Sequence, residues 1–196
     1  MVIHELGREE CLRVLAGARL ARLACARENQ PYVVPVYLAY HQRLGDDPCL
    51  YGFTTPGQKI EWMRANPLVC VEVDEVAAYD QWVSVIALGR YEELPEAPAG
   101  DEGRRPALGH PRPVGKAAPE TGGRGDERLQ AWQVLKALPV WWQPGGVAWA
   151  ARAHRTPAEP FVPVYYRIRI DRVTGHEAIR DAKDAIAYAA AAPPAG

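Results

Sequence analysis

The chain has 196 residues, 48% of them hydrophobic, which suits a single globular domain with a proper core. Its formal net charge of −1 gives no electrostatic basis for binding nucleic acid or an anionic membrane. No apolar run reaches the roughly 18–20 residues of a membrane helix. The charged start "MVIHELGREECLRVL" lacks the apolar centre of a signal peptide, so a cytoplasmic protein is expected.

Four cysteines, Cys11, Cys25, Cys49 and Cys70, lie among apolar residues without a Cys-x-x-Cys pair and read as reduced core thiols. The five histidines show no metal-ligand spacing, and no metal site is expected.

In chain order, "HELGREECLRVLAGA" carries an apolar stripe of Leu6, Cys11, Leu12, Val14 and Leu15 with acids early, and predicts a helix ended by Gly17. "RLARLACAR" is ambiguous in period. The turn cluster "ENQ" and the β-branched, aromatic run "PYVVPVYLAY" after it decide for strand, turn, strand over residues 19–40. Pro35 inside the second strand implies an edge position or a bulge. Beyond the turn "HQRLGDDP" comes a short strand, "CLYGFT". "PGQKIEWMRANP" has the signals of a short helix, with Pro56 before it and Asn66-Pro67 as its stop.

"LVCVEVDEV" and "WVSVIALGRYEEL" are strands, and Asp74 with Glu75 reads as a solvated turn closing the first of them. Residues 95–125 are dominated by proline, glycine and charge, which predicts an extended or disordered insertion. The "RGD" inside it has no secretory signal to support an adhesion role. "DERLQAWQVLKAL" resumes as an amphipathic helix with Leu129, Trp132 and Leu135 inward. "FVPVYYRIRIDRVTGHEA" is the last strand and should send Tyr165 and Tyr166 to opposite sides. The alanine-rich end reads as a loose helix and tail. About six strands joined mostly by short turns, with two or three helices and no β-α-β alternation, imply a small antiparallel barrel with peripheral helices.

The stretch "YGFTTPGQK" carries the clearest chemistry. Gln58 separates Gly57 from Lys59, and Ile60 stands where a magnesium-binding hydroxyl would be, so this is not a Walker A loop. A strand still delivers Phe53, Thr54 and Thr55 to a helix start, where free amides, hydroxyls and an ammonium suit a terminal phosphate. The plainer alternative is a strand-to-helix turn with a capping threonine and a solvated lysine.

The order "ARLARLACARENQPYVVPVYLAY", "LYGFTTPGQKIEWMRANPLVCVEVD", "WVSVIALGRYEEL" resembles the pyridoxamine 5′-phosphate oxidase-like flavin-binding split barrels, closest to the branch with the nitroimidazole-resistance proteins. It covers residues 3–95 continuously, and more weakly "ERLQAWQVL", "PVWWQPG" and the last strand. The resemblance implies a mainly β, six-stranded antiparallel split β-barrel of Greek-key type with peripheral α-helices. It also implies a homodimer, with FMN bound in the clefts between subunits. Lys59 and Thr54 or Thr55, next to Phe53, match the phosphate-binding positions. Val34, Pro35 and Val36 match the strand whose backbone edges the isoalloxazine. Ser84 matches a position facing the flavin, and Trp141 or Trp142 falls where the partner often covers the ring. Two departures stand out. The arginine pattern for pyridoxamine phosphate is missing near "WVSV" and at the C-terminus, and Thr54 stands where the nitroimidazole branch often has a histidine.

The function expected is that of an FMN-dependent oxidoreductase on a small-molecule substrate. The alternatives are a non-catalytic binder of flavin, haem or deazaflavin, and a small β-barrel interaction module using its aromatic residues.

Overall fold

The computed structural model describes residues 1–43, 46–95, 124–138 and 163–180. Among these the chain runs β1 (Val2–Glu5), α1 (Arg8–Gly17), β2 (Leu20–Arg27), β3 (Gln30–His41), β4 (Cys49–Thr54), α2 (Gln58–Ala65), β5 (Leu68–Ala78), β6 (Gln81–Glu93), α3 (Arg124–Leu135) and β7 (Val164–Ile179). Most of the 95–125 insertion, Trp141 and Trp142, and the alanine-rich end lie outside the described residues.

The β2–β3 hairpin turns through Glu28 and Asn29, both at positive φ (52° and 63°), as a two-residue turn matched to strand twist requires. β4 returns along β3, α2 crosses over, and β5 comes back beside β2, giving the spatial order β5-β2-β3-β4. That is a Greek key, with α2 as the long connection. β6 pairs with β5 on one side and with β7 on the other, and β7 pairs with β4, so strands β2 to β7 close into a six-stranded antiparallel barrel.

β1 is a seventh strand. Residues 2–5 do not begin the first helix but extend the far end of β7, from Val2↔Ile179 to Glu5↔His176. The β7 edge offers ladder hydrogen bonds that an isolated first helical turn lacks. The helix starts later, where the Glu10 carboxylate accepts from the Gly7 N–H at 2.8 Å.

Alternation along β2 turns Ala21, Leu23 and Cys25 inward, and Val71, Val85, Ala87, Tyr166 and Ile168 complete the core with them. Cys11, Leu12 and Leu15 of α1 pack into the same cluster. A second cluster lies outside the barrel, where Ala131 and Leu135 of α3 cover Ala39, Cys49, Tyr51 and Tyr165. Tyr165 and Tyr166 do face opposite ways, yet both are buried, because α3 roofs the outer side. Arg167 fastens that roof by pairing with Glu92 of β6 and Glu127 of α3. The three cysteines at 11, 25 and 49 are buried, and burial pushes the Cys49 thiol up to about 11. Asp74 corrects the turn reading. β5 runs on to Ala78, and Asp74 is an in-strand residue paired with Arg22.

Gly52 is set by close approach. It stands opposite Tyr166, and a Cβ there would overlap the Tyr166 ring, which is fully buried and cannot swing aside. Gly52→Ala should therefore destabilise the protein by about 1–3 kcal/mol, the usual cost of overpacking. Denaturant titrations of Gly52→Ala alone and with Tyr166→Leu should give a cost that shrinks in the double variant. Equal costs in both backgrounds would mean that the ring is not the obstacle.

Candidate functional site

The barrel opens between β3 and β4. Their pairing starts at His41↔Cys49 and stops at Leu38↔Gly52. Beyond that point the N-terminal part of β3, residues 30–37, pairs among the described residues only with β2. Its other edge is free, which explains why Pro31 and Pro35 are tolerated, since neither has an N–H to give. Pro35 is thus at an edge, as its residue type requires.

On the opposite lip, Phe53 and Thr54 stay paired with Tyr165 and Val164 of β7. The split accordingly has Val34, Pro35 and Val36 on one side and Phe53, Thr54 and Thr55 on the other. Val36 and Thr54 are buried, and Val34, Phe53 and Thr55 are half-buried. Phe53 is held edge-on against Tyr165, ring centroids 5.1 Å apart. The Thr54 hydroxyl donates to the Thr55 carbonyl at 3.3 Å, whereas no bond engages the Thr55 hydroxyl among the described residues.

α2 begins at this lip. Its N-cap is Gly57, whose carbonyl accepts from Ile60 (2.9 Å) and Glu61 (3.1 Å), while the Gln58 and Lys59 amides have no acceptor among the described residues. A Cβ on Gly57 would meet nothing within 4 Å, so the space beside the turn is open. Ile60 and Met63 anchor the helix in the core. A second stripe, Lys59, Trp62 and Asn66, crosses the β2–β3 hairpin. Trp62 packs on Tyr32 at 5.5 Å, and Asn66 donates to the Ala26 carbonyl at 3.0 Å.

Lys59 is the unusual member of that stripe. It is half-buried beside Cys25, and no carboxylate pairs with it among the described residues. Desolvation holds its ammonium below the ordinary lysine value. A cation withdrawn from water without a counter-charge is costly unless an anion comes to it. With two open amides and a free threonine hydroxyl nearby, the geometry supplies donors of one sign to one place. These residues fit the terminal phosphate of a nucleotide-like cofactor.

Ser84 lies elsewhere. It is on the outer face of β6, about three inter-strand spacings or roughly 15 Å from Pro35. Cross-strand partners build a polar track between them. Arg22 stands opposite both Pro35 and Glu72, Asp74 opposite Ser84, and Ser84 opposite His176. Arg22 pairs with Glu72 at 3.0 Å and with Asp74, and the Ser84 hydroxyl donates to Glu72 at 3.4 Å. Around this track the face is apolar and uncovered, with Leu20 50%, Val33 58%, Ile86 41% and Leu88 37% exposed. Sequence reading missed the Arg22 track. Alternation puts each member on one face of its own strand, but the pairing of β2 with β5 is not written locally.

A family profile described as pyridoxamine 5′-phosphate oxidase matches residues 7–124. An uncharacterized protein of Rhizobium meliloti is 36% identical over 184 residues, covering 91% of this chain and 97% of its own. The crystal structure of an FAD-binding protein from Mesorhizobium loti is 37% identical, with a TM-score of 0.60 over 92% of this chain and 99% of its own. A candidate 5-nitroimidazole antibiotic resistance protein from Bacteroides thetaiotaomicron shares the fold at 15% identity, with a TM-score of 0.51 over 90% of this chain and 89% of its own. The barrel and its split thus define a protein of the split-barrel class. The chain belongs to the pyridoxamine 5′-phosphate oxidase family.

The sign of the Lys59 effect is testable without any ligand. A folded-state value below the ordinary 10.5 means the folded protein releases this proton before the unfolded chain does. Its contribution is therefore unfavourable at neutral pH and relaxes as pH rises toward 10.5. In the unliganded protein, Lys59→Met should raise the melting temperature at pH 7, and the gap should narrow on going alkaline. A lowered melting temperature at pH 7 would reveal a counter-charge and remove the case for an anion site.

Proposed function

We propose that the chain is a flavoprotein that binds FMN at the β3–β4 split and serves as a flavin-dependent oxidoreductase. The observation that carries this reading is Lys59, a half-buried ammonium with no carboxylate paired to it among the described residues, set at a helix start in a family of flavin-binding barrels. When bound, the flavin would supply the hydride or electron transfer. The chain's own residues bind and orient it. Lys59, the Thr55 hydroxyl and the Gln58 and Lys59 amides would hold the ribityl phosphate, with Thr54 buttressing the turn. The free backbone edge at Val34, Pro35 and Val36 would line the isoalloxazine, and Phe53 would close the inner lip.

FAD is a second reading, favoured by the name of the 37%-identical relative. The same clamp would take the ribityl phosphate of either flavin. No described helix is long and apolar enough to cross a membrane, and we assign the protein to the cytoplasm.

The first test is the absorption spectrum of the freshly purified protein, which should show flavin bands; a haem band or none removes the reading. The second is titration of Lys59→Ala with FMN and riboflavin. Losing a charge-assisted contact should weaken FMN by about tenfold to a hundredfold and leave riboflavin nearly unchanged. Equal weakening of both would mean that Lys59 does not read the phosphate.

The uncovered face of β2, β3, β5 and β6 is the basis for a two-fold homodimer. Its apolar residues surround Arg22, Glu72 and Asp74, a track with one more negative than positive charge, and the face runs up to the free lip of the split. A second copy would cover this surface and give each split its outer wall, which would bring Ser84 to the flavin across the interface. Sedimentation of the wild type at micromolar concentration should show a dimer, and Val33→Glu with Leu88→Glu should give a folded monomer with weakened flavin binding. A wild-type monomer defeats the proposal.

A further inference from the structure

The open stretch of β3 carries a pattern of donors and acceptors that its hairpin dictates. Arg27 and Gln30 close the two-residue turn at Glu28 and Asn29, and the pair flanking such a turn exchanges both backbone hydrogen bonds. Bonded and non-bonded pairs then alternate along the antiparallel ladder. Gln30, Tyr32, Val34 and Val36 accordingly turn their N–H and C=O toward β2, while Pro31, Val33, Pro35 and Tyr37 turn theirs toward the open edge. Both prolines fall in the second set, as residues with no N–H to give must.

The four edge residues are not equivalent. Pro31 and Pro35 bring a carbonyl and no donor, and the Pro31 carbonyl already accepts from the Gln30 side chain at 3.1 Å. Tyr37 lies in the fork, next to the Leu38↔Gly52 pair where β4 closes on β3. On the strip below the fork, Val33 is therefore the residue that offers both an N–H and a C=O, and neither has a partner among the described residues. An added β-strand needs such a pair at every second residue, and the prolines deny it on both sides of Val33. A small planar ligand needs only one.

We propose that the Val33 N–H and C=O recognise the imide edge of a planar ring, which in a flavin is N3–H with the carbonyl beside it. The inference rests on the flavin reading above. The Val33 C=O accepts from N3–H and the Val33 N–H donates to the neighbouring ring carbonyl, as on a bonded pair of strand residues. Moving the ring two residues along the strip in either direction forfeits the donor half of that pair. Pro31 and Pro35 thus fix where the ring sits, and Val33 selects for an unsubstituted imide.

The test separates the backbone from the side chain. Val33→Ala keeps the N–H and loses the exposed side chain, with whatever that side chain gives to the dimer face. Val33→Pro loses both, at a position whose neighbours on the same edge are already proline. FMN and N3-methyl-FMN are titrated by flavin fluorescence, and their common phosphate cancels the contribution of Lys59. The wild type and Val33→Ala should bind FMN about tenfold more tightly than N3-methyl-FMN. Val33→Pro should bind FMN about tenfold more weakly than Val33→Ala and should not distinguish the two flavins. Melting curves check the fold of both variants, and the wild-type comparison needs neither. A wild type indifferent to the N3-methyl group overturns the proposal and leaves the flavin reading standing, and so does a Val33→Pro that binds as Val33→Ala does. A wild type that binds no flavin removes the flavin reading, and the imide site with it.

Discussion

The parting of β3 from β4 after Leu38↔Gly52 is the constraint on which the rest depends. A closed barrel pairs every edge, and this one leaves one edge unpaired among the described residues over 30–37. Two prolines keep that stretch from recruiting a neighbouring strand, because each removes a donor. β4 is meanwhile held to β7 from Cys49↔Arg169 to Thr54↔Val164, and the absence of a side chain at Gly52 lets it lie that close. With one lip tied to β7 and the other to β2, the opening is a fixed feature of the fold. α2 has to cross it to bring the chain back beside β2, so the start of a helix is delivered to a gap with a free backbone edge.

The two outer sides of the barrel are treated differently. Over β3, β4 and β7 the outward residues sit under α3, and Arg167 locks the helix down with two carboxylates. Over β2, β3, β5 and β6 no described helix covers the outward residues, and large apolar side chains are left exposed. A monomer gains nothing from that arrangement, since each half-exposed Val, Leu or Ile forgoes part of the about 1.5–3 kcal/mol that full burial contributes. The proposed dimer would recover it. In that proposed interface the ion pairs would act mainly on register, because their net contribution to affinity depends on how well they are desolvated.

Much of this was legible in the sequence, element by element. The hairpin turn, the short helix after Pro56, the long strands and the edge position of Pro35 all follow from local rules on period and punctuation. The strand-to-helix turn was legible as well, since the strand, the glycine turn and Lys59 are contiguous, and the phosphate clamp built on it is the proposal. What could not be read was register between strands distant in sequence. Arg22 and Glu72 are fifty residues apart, and only the β2–β5 pairing brings them together. A cavity beside Pro56 draws on α2, β6, α3 and β7, and no local pattern encodes such a convergence. β1 was missed for a related reason. Four residues have too little pattern to declare a strand, and the β7 edge that recruits them lies at the other end of the chain.

Lys59 and Arg167 show how one fold can use the same kind of charge in two ways. Both cations are partly withdrawn from water. Arg167 is given carboxylates on two sides, and its charge goes into holding α3 to the barrel. Lys59 is given none among the described residues, and its charge remains a liability of the unliganded protein. A carboxylate beside Lys59 would remove that liability but would also compete with a phosphate for the same ammonium. If Lys59 holds a phosphate as proposed, stability and anion affinity are opposed at this position. A lysine serves here better than an arginine. In the proposed clamp its compact ammonium would meet a phosphate as a point charge from its half-buried place beside Cys25, whereas a guanidinium would impose a planar fork.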